Sequence, residues 1–262
     1  MSELAPEVLA AVGLAACRLA GVAAFAPAVA AAGVPVRVRM AVAFVLAVAA
    51  LPAIAAQGVP AAAVAEPWRL VPAAAVEFAL GAVIGVLAML PVAAFRTAGA
   101  LAGAQAGIGF GAMCAGDGAE DGADDPLAQL LGVLGAACFV WAGGLDALAV
   151  ASIRSFEHVA VGAWMPAGSV VGTVTGAMLA ASELAFRVAL PVTAVLVAEA
   201  LVSGVVARSV PGMGALAFGF PVRVAVALLA LLAGAAAMQS AMGGAIGGML
   251  DAVQSLLAGG AR

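Results

Sequence analysis

Residues Leu190 to Val226, LPVTAVLVAEALVSGVVARSVPGMGALAFGFPVRVAV, decide how the rest of the chain is read. An apolar helix is entered through Pro191 and carries Glu199. A short polar break follows, containing Arg208, Pro211 and two glycines. A second apolar run then holds Pro221 and Arg223. Helix-breaking proline and charge are costly where lipid surrounds a chain and tolerable where other protein covers them. The stretch therefore predicts a membrane hairpin with helix breaks at Pro191, Pro211 and Pro221, its polar groups shielded by neighbouring protein.

Composition agrees with that reading. Of 262 residues 66% are hydrophobic and 9% are charged, against roughly 25% charged in a soluble domain. Several runs reach the roughly 20 residues that cross a bilayer. The expected fold is all-α: a polytopic helical inner-membrane protein with broken helices and hairpins, completed by partner subunits. All ten basic residues are arginine, and a net charge of −4 gives no case for nucleic acid. Cys17, Cys114 and Cys138 have no metal-ligand spacing and read as free packing residues. The acidic N-terminus and the long apolar run past Cys17 argue against a cleaved leader.

Taken in order, Val8 to Ala32 and Met40 to Ala56 read as the first two spans. Arg37 and Arg39 between them are the densest basic pair, which places that turn in the cytoplasm. Val71 to Leu90 reads as a third span, on which Glu77, Gly81 and Gly85 lie four apart and share one face. Two glycines beside an acid let a neighbouring helix approach closely and reach the carboxylate. Pro91 and Arg96 read as a break before Thr97 to Met113, where Gly99, Gly103, Gly107 and Gly111 also recur every fourth residue. That segment is either a tightly packed helix or a deformable one inside a pore.

Ala115 to Pro126, AGDGAEDGADDP, is the one strongly polar insertion. It lacks the ligand spacing of a calcium loop and reads as solvated. Leu127 to Val150 is a further expected span with Asp146 near its end, followed by an amphipathic connector from Arg154 to Gly168. His158, the only histidine, has no catalytic companion. Glu183 and Arg187 stand at the i,i+4 spacing that lets the two side chains meet. They serve either a polar cavity or partner helix, or simple self-neutralisation. Met238 to Arg262 reads as a short amphipathic tail. Six or seven crossings remain open. Without a Walker motif, dinucleotide fingerprint, zinc motif or nucleophile elbow, no enzyme activity is expected, and no catalytic, cofactor-binding or metal-ligating residue.

These landmarks, taken together, resemble the FliR family of flagellar biosynthetic proteins, with its injectisome counterpart SctT in type III secretion. The resemblance runs over nearly the whole chain as one export-gate domain, 1–262. It is carried by Val34 to Arg39, by Glu77 with Gly81 and Gly85, and by Gln105, Gly107, Gly109 and Phe110 ahead of Asp125-Pro126. Gly143-Gly144, Ser155-Phe156, Leu190-Pro191, Arg208 with Pro211, and Phe218 to Pro221 complete it. The chain departs from the flagellar pattern at Leu145, Arg154 and Ala160.

The resemblance implies a subunit of the protein export gate in the inner membrane at the flagellar basal body. FliP and FliQ would share the pore, FlhB would wrap outside it, FlhA-like proteins would take part, and unfolded secreted proteins would pass through. A plug loop at about 99–126 would include Gln105, Gly107, Gly109, Phe110, Gly111, Asp125 and Pro126. Glu77, Asp146, Glu183, Arg187, Glu199 and Arg208 are then expected as buried charges or subunit contacts. The charged spans alone leave a small-solute secondary transporter as a rival, which should show inverted repeats, and none is evident.

Overall fold

A computed structural model describes residues 4–27, 34–57, 68, 70–107, 125–163, 169–209 and 215–260. Every regular element among them is helical: α1 (Leu4–Phe25), α2 (Val36–Ala49), α3 (Leu51–Gln57), α4 (Leu70–Ala106), α5 (Pro126–Trp141), α6 (Gly144–His158), α7 (Ser169–Ser209) and α8 (Ala215–Gly260). Three of them, α4, α7 and α8, are long and apolar enough to cross a membrane, and α5 with α6 could form a fourth, broken crossing. This is a polytopic helical membrane protein, with fewer long spans among the described residues than the six or seven the sequence left open. The first two expected spans are short: the apolar part of α1 is Leu9–Phe25, and the second run is divided at Ala50 into α2 and α3.

Two of the three proline breaks expected in the hairpin, at Pro191 and Pro221, are not breaks. Pro91, Pro191 and Pro221 all sit inside continuous helices, α4, α7 and α8. Proline removes one N–H and crowds one carbonyl. In a long apolar helix the flanking hydrogen bonds persist, so the cost stays local. The expected separation of Val71–Leu90 from Thr97–Met113 is therefore replaced by one 37-residue helix, and the expected tail after Met238 is the end of the 46-residue α8. Pro211, Gly109, Phe110, Gly111 and residues 115–124 of the acidic insertion lie outside the described residues.

Glycine makes the actual break. The expected span Leu127–Val150 ends at Trp141, and Gly143 adopts φ 78°, a left-handed conformation that costs glycine little and other residues more. Asp146 consequently falls in the first turn of α6, not at the end of a span. There its charge complements the partial positive charge of a helix N-terminus. Gly107, at φ 70°, closes α4 in the same way. Asp125 starts α5: its Oδ1 accepts a hydrogen bond from the Leu127 amide at 2.9 Å, and Pro126 takes the first helical position, where no donor is needed.

The chain divides into two compact units, one of Met1–Leu90, Phe139–Leu179 and Ile246–Arg262, the other of Pro91–Cys138 and Ala180–Ala245. In unit 1, Ala11, Ala15, Leu19 and Ala23 form one face of α1, packed with Ala43, Ala47, Ala50 and Ile54 of α2 and α3. Such small side chains bring helix axes close. The first half of α4 comes closer still. A Cβ at Gly21 would strike the Phe78 carbonyl, one at Gly81 the Arg18 carbonyl, and one at Gly85 the Val22 carbonyl. Unit 2 repeats the device: Gly99 lies on the backbone at Leu127 and Ala128, and Gly135 on the Phe95 ring.

Candidate functional site

The close α1–α4 crossing places a charge inside unit 1. Arg18 and Glu77 are 1% and 0% exposed. Burying either ion alone would cost several kcal/mol, so a buried charge has to be paired and hydrogen-bonded. The Arg18 guanidinium meets Glu77 through two parallel bonds, Nε to Oε2 at 2.5 Å and Nη2 to Oε1 at 3.0 Å. Nη1 donates to Ser155 Oγ at 3.2 Å, and Nη1 and Nη2 both donate to the Val159 carbonyl at 3.2 and 3.3 Å. Each of the five guanidinium N–H groups thereby has an acceptor.

The remaining polar groups are also satisfied. Gly162, at φ 78°, donates its amide to Glu77 Oε1 at 2.7 Å. Ser155 Oγ donates to the Ser152 carbonyl and Ser152 Oγ to the Leu148 carbonyl, each at 2.7 Å. The Phe156 ring lies 4.3 Å from Arg18 Cζ and contributes a cation–π contact. The cluster joins α1, α4, the end of α6 and the turn that follows it. Of these residues the sequence reading singled out Glu77 as a charge and missed its partner, because a pair separated by 59 positions leaves no periodic trace.

Unit 2 holds its charges less completely. Glu199 on α7 is 9% exposed and accepts from Arg223 Nε of α8 at 2.9 Å and from Ser203 Oγ at 2.5 Å. Ser203 and Arg223 were not expected at a site. The Ser203 spacing, four residues after Glu199, is the signal that was there to find. Glu183 and Arg187 meet at 2.6 Å, yet their side chains are 64% and 71% exposed. Arg208 is exposed in the last turn of α7, where a cation suits the helix C-terminus. Asp146, Glu183, Arg187 and Arg208 are thus surface charges of this chain, and only Glu77 and Glu199 of the expected set are buried in it.

The residues expected in a plug are divided by segment 108–124, which lies outside the description. Gln105 is exposed near the end of α4, and Gly107 caps that helix. Asp125 rests its carboxylate on Gly103, where any Cβ would collide with it, and Pro126 begins α5. Among the described residues no three of His, Cys, Asp or Glu gather as a metal site would need, and Cys17 and Cys138 are half-buried free thiols.

A family model described as bacterial export proteins, family 1, matches residues 9–249, which includes both buried charge sites and every break described above. The chain belongs to that family. No curated protein matches it. Within bacterial export proteins, family 1, it is of the FliR and SctT type, a component of the flagellar or type III export apparatus that associates with other proteins of that apparatus. The buried Arg18–Glu77 cluster is thus a feature of a bacterial export protein.

Proposed function

We propose that this chain is the FliR-like subunit of the flagellar protein export gate, lying in the bacterial inner membrane at the basal body. It shares a protein-conducting pore with FliP and FliQ, stands beside FlhB and FlhA-like proteins, and passes unfolded substrates without catalysing a reaction. The observation that carries this reading is the exposed Glu183–Arg187 pair in a largely apolar helix. Of the most apolar stretch in Val170–Val206 only 28% is buried, and in Pro221–Gly259 only 17%. Lipid would penalise those charges, whereas a partner helix with polar groups would not.

In this reading Gln105, Gly107, Gly109, Phe110, Gly111, Asp125 and Pro126 belong to a plug that seals the pore. Its two helix ends, capped by Gly107 and by Asp125, support the idea of a segment hung between fixed points.

Two experiments test the proposal. The tagged chain, co-expressed with FliP-like and FliQ-like proteins, should co-purify with both. A stable monomer that performs its task in liposomes would overturn the reading. Deleting Gly107 to Gly111 in cells should raise membrane permeability to small ions. Unchanged permeability would remove the plug and leave the segment structural. A second setting, the injectisome, is favoured only if the partners captured are its export proteins.

A further inference from the structure

We propose that the start of α2 seats an anionic phospholipid, its phosphate on the Arg37 guanidinium and an acyl chain along Val38, Val42 and Val45. A shallow groove of about 440 Å³ runs there, lined by Arg37, Val38, Ala41, Val42, Val45 and Leu46. These residues fall in pairs four apart, so they form one stripe of the helix. Val38, Val42 and Val45 are exposed, at 48%, 37% and 65%. Arg37, at the head of the stripe, is exposed and has no hydrogen-bond or ion-pair partner among the described residues. Neither α2 nor α3 contains an acid to neutralise it.

Dimensions select the occupant. From Arg37 to Leu46 the helix rises about 14 Å. One leaflet of hydrocarbon is about 15 Å deep, half of a roughly 30 Å core. A cation at one end of an apolar stripe one leaflet long matches a lipid with a negative headgroup. A soluble anion has no use for the stripe, and a wholly apolar partner helix has none for the cation. The basic pair Arg37 and Arg39 also marks this turn as the cytoplasmic end of α2, where anionic headgroups lie.

The test takes the full chain in mild detergent, titrated separately with palmitoyl-oleoyl phosphatidylglycerol and phosphatidylcholine, with bound lipid counted by native mass spectrometry. Phosphatidylglycerol should be retained about fivefold better, the advantage of a single basic residue near a membrane surface. Arg37→Gln should level the two lipids while Arg37→Lys keeps the preference. Val42→Trp, which fills the groove, should weaken both lipids and provides an arm that leaves the charge intact. Equal retention by the native chain overturns the proposal, and so does a preference that survives Arg37→Gln. Displacement of the lipid by equimolar inorganic phosphate would show a headgroup anion site without the groove. In the complex assembled with its export partners, a photo-crosslinker at Val45 should capture lipid, and capture of a protein there would assign the face to a subunit and overturn the lipid seat.

Discussion

Unit 1 and unit 2 each bury one acid beside an arginine, Glu77 with Arg18 and Glu199 with Arg223, and they enclose the pair to different degrees. In unit 1 all five N–H groups of Arg18 and both carboxylate oxygens of Glu77 are satisfied by the chain itself, and Gly81 and Gly85 let α1 come near enough to do it. In unit 2 Arg223 is still 32% exposed beside Glu199, and the Glu183–Arg187 pair stands open. Glycine does not divide this way: Gly21, Gly81 and Gly85 of unit 1 and Gly99 of unit 2 are all filled by neighbouring backbone, whereas a Cβ at Gly172 of unit 1 or Gly204 of unit 2 would meet nothing. Closed charge marks what the chain finishes alone. Open charge marks what it leaves for another.

The sharpest way to break that contrast is at Arg18. Arg18→Ala strands the Glu77 carboxylate and should cost about 3–5 kcal/mol, read as a lowered unfolding temperature of the full chain in detergent. The paired change Arg18→Met with Glu77→Leu should recover most of this, since an apolar pair of similar size leaves no charge behind. If the double variant is no better than the single one, the cluster is more than a compensated pair.

Glu199→Ala comes next. It removes bonds from Ser203 and a partly exposed Arg223, so about 1.5–3 kcal/mol is expected in the same assay. A loss equal to that of Arg18→Ala would show that the two units treat charge alike. Smallest for the isolated chain is Glu183→Ala, within about 1 kcal/mol for so exposed a pair. Its effect should surface instead as reduced co-purification of partners. Exchanging the two charges, Glu183→Arg with Arg187→Glu, should restore assembly if the pair acts mutually. Equal loss from the single change and the exchange would point to separate partners.

Helical class and membrane character were legible because composition and run length are local properties. So was the seam at Glu77, Gly81 and Gly85, whose spacing is four. What approaches that seam was not legible: Arg18, Ser155 and Gly162 come from α1, the end of α6 and a turn, and only folding brings them together. Proline misled in the opposite sense. Pro191 and Pro221 read as breaks, but one missing donor does not interrupt a helix of 41 or 46 residues. The break between α5 and α6 occurs at Gly143, in the sequence simply one of a glycine pair, because its left-handed backbone is decided by the turn and not by composition.

The Arg18 cluster also has a bearing on how the protein is made. Arg18 leaves the ribosome 59 residues before Glu77, and the Gly162 amide follows 85 residues after that acid. Until Glu77 arrives Arg18 lacks the carboxylate it pairs with in the folded chain, so the final seating of α1 must wait for the following helices. Biogenesis is then ordered from within: nascent chains halted before α4 should hold α1 loosely at the interface, and those halted after it should hold α1 firmly.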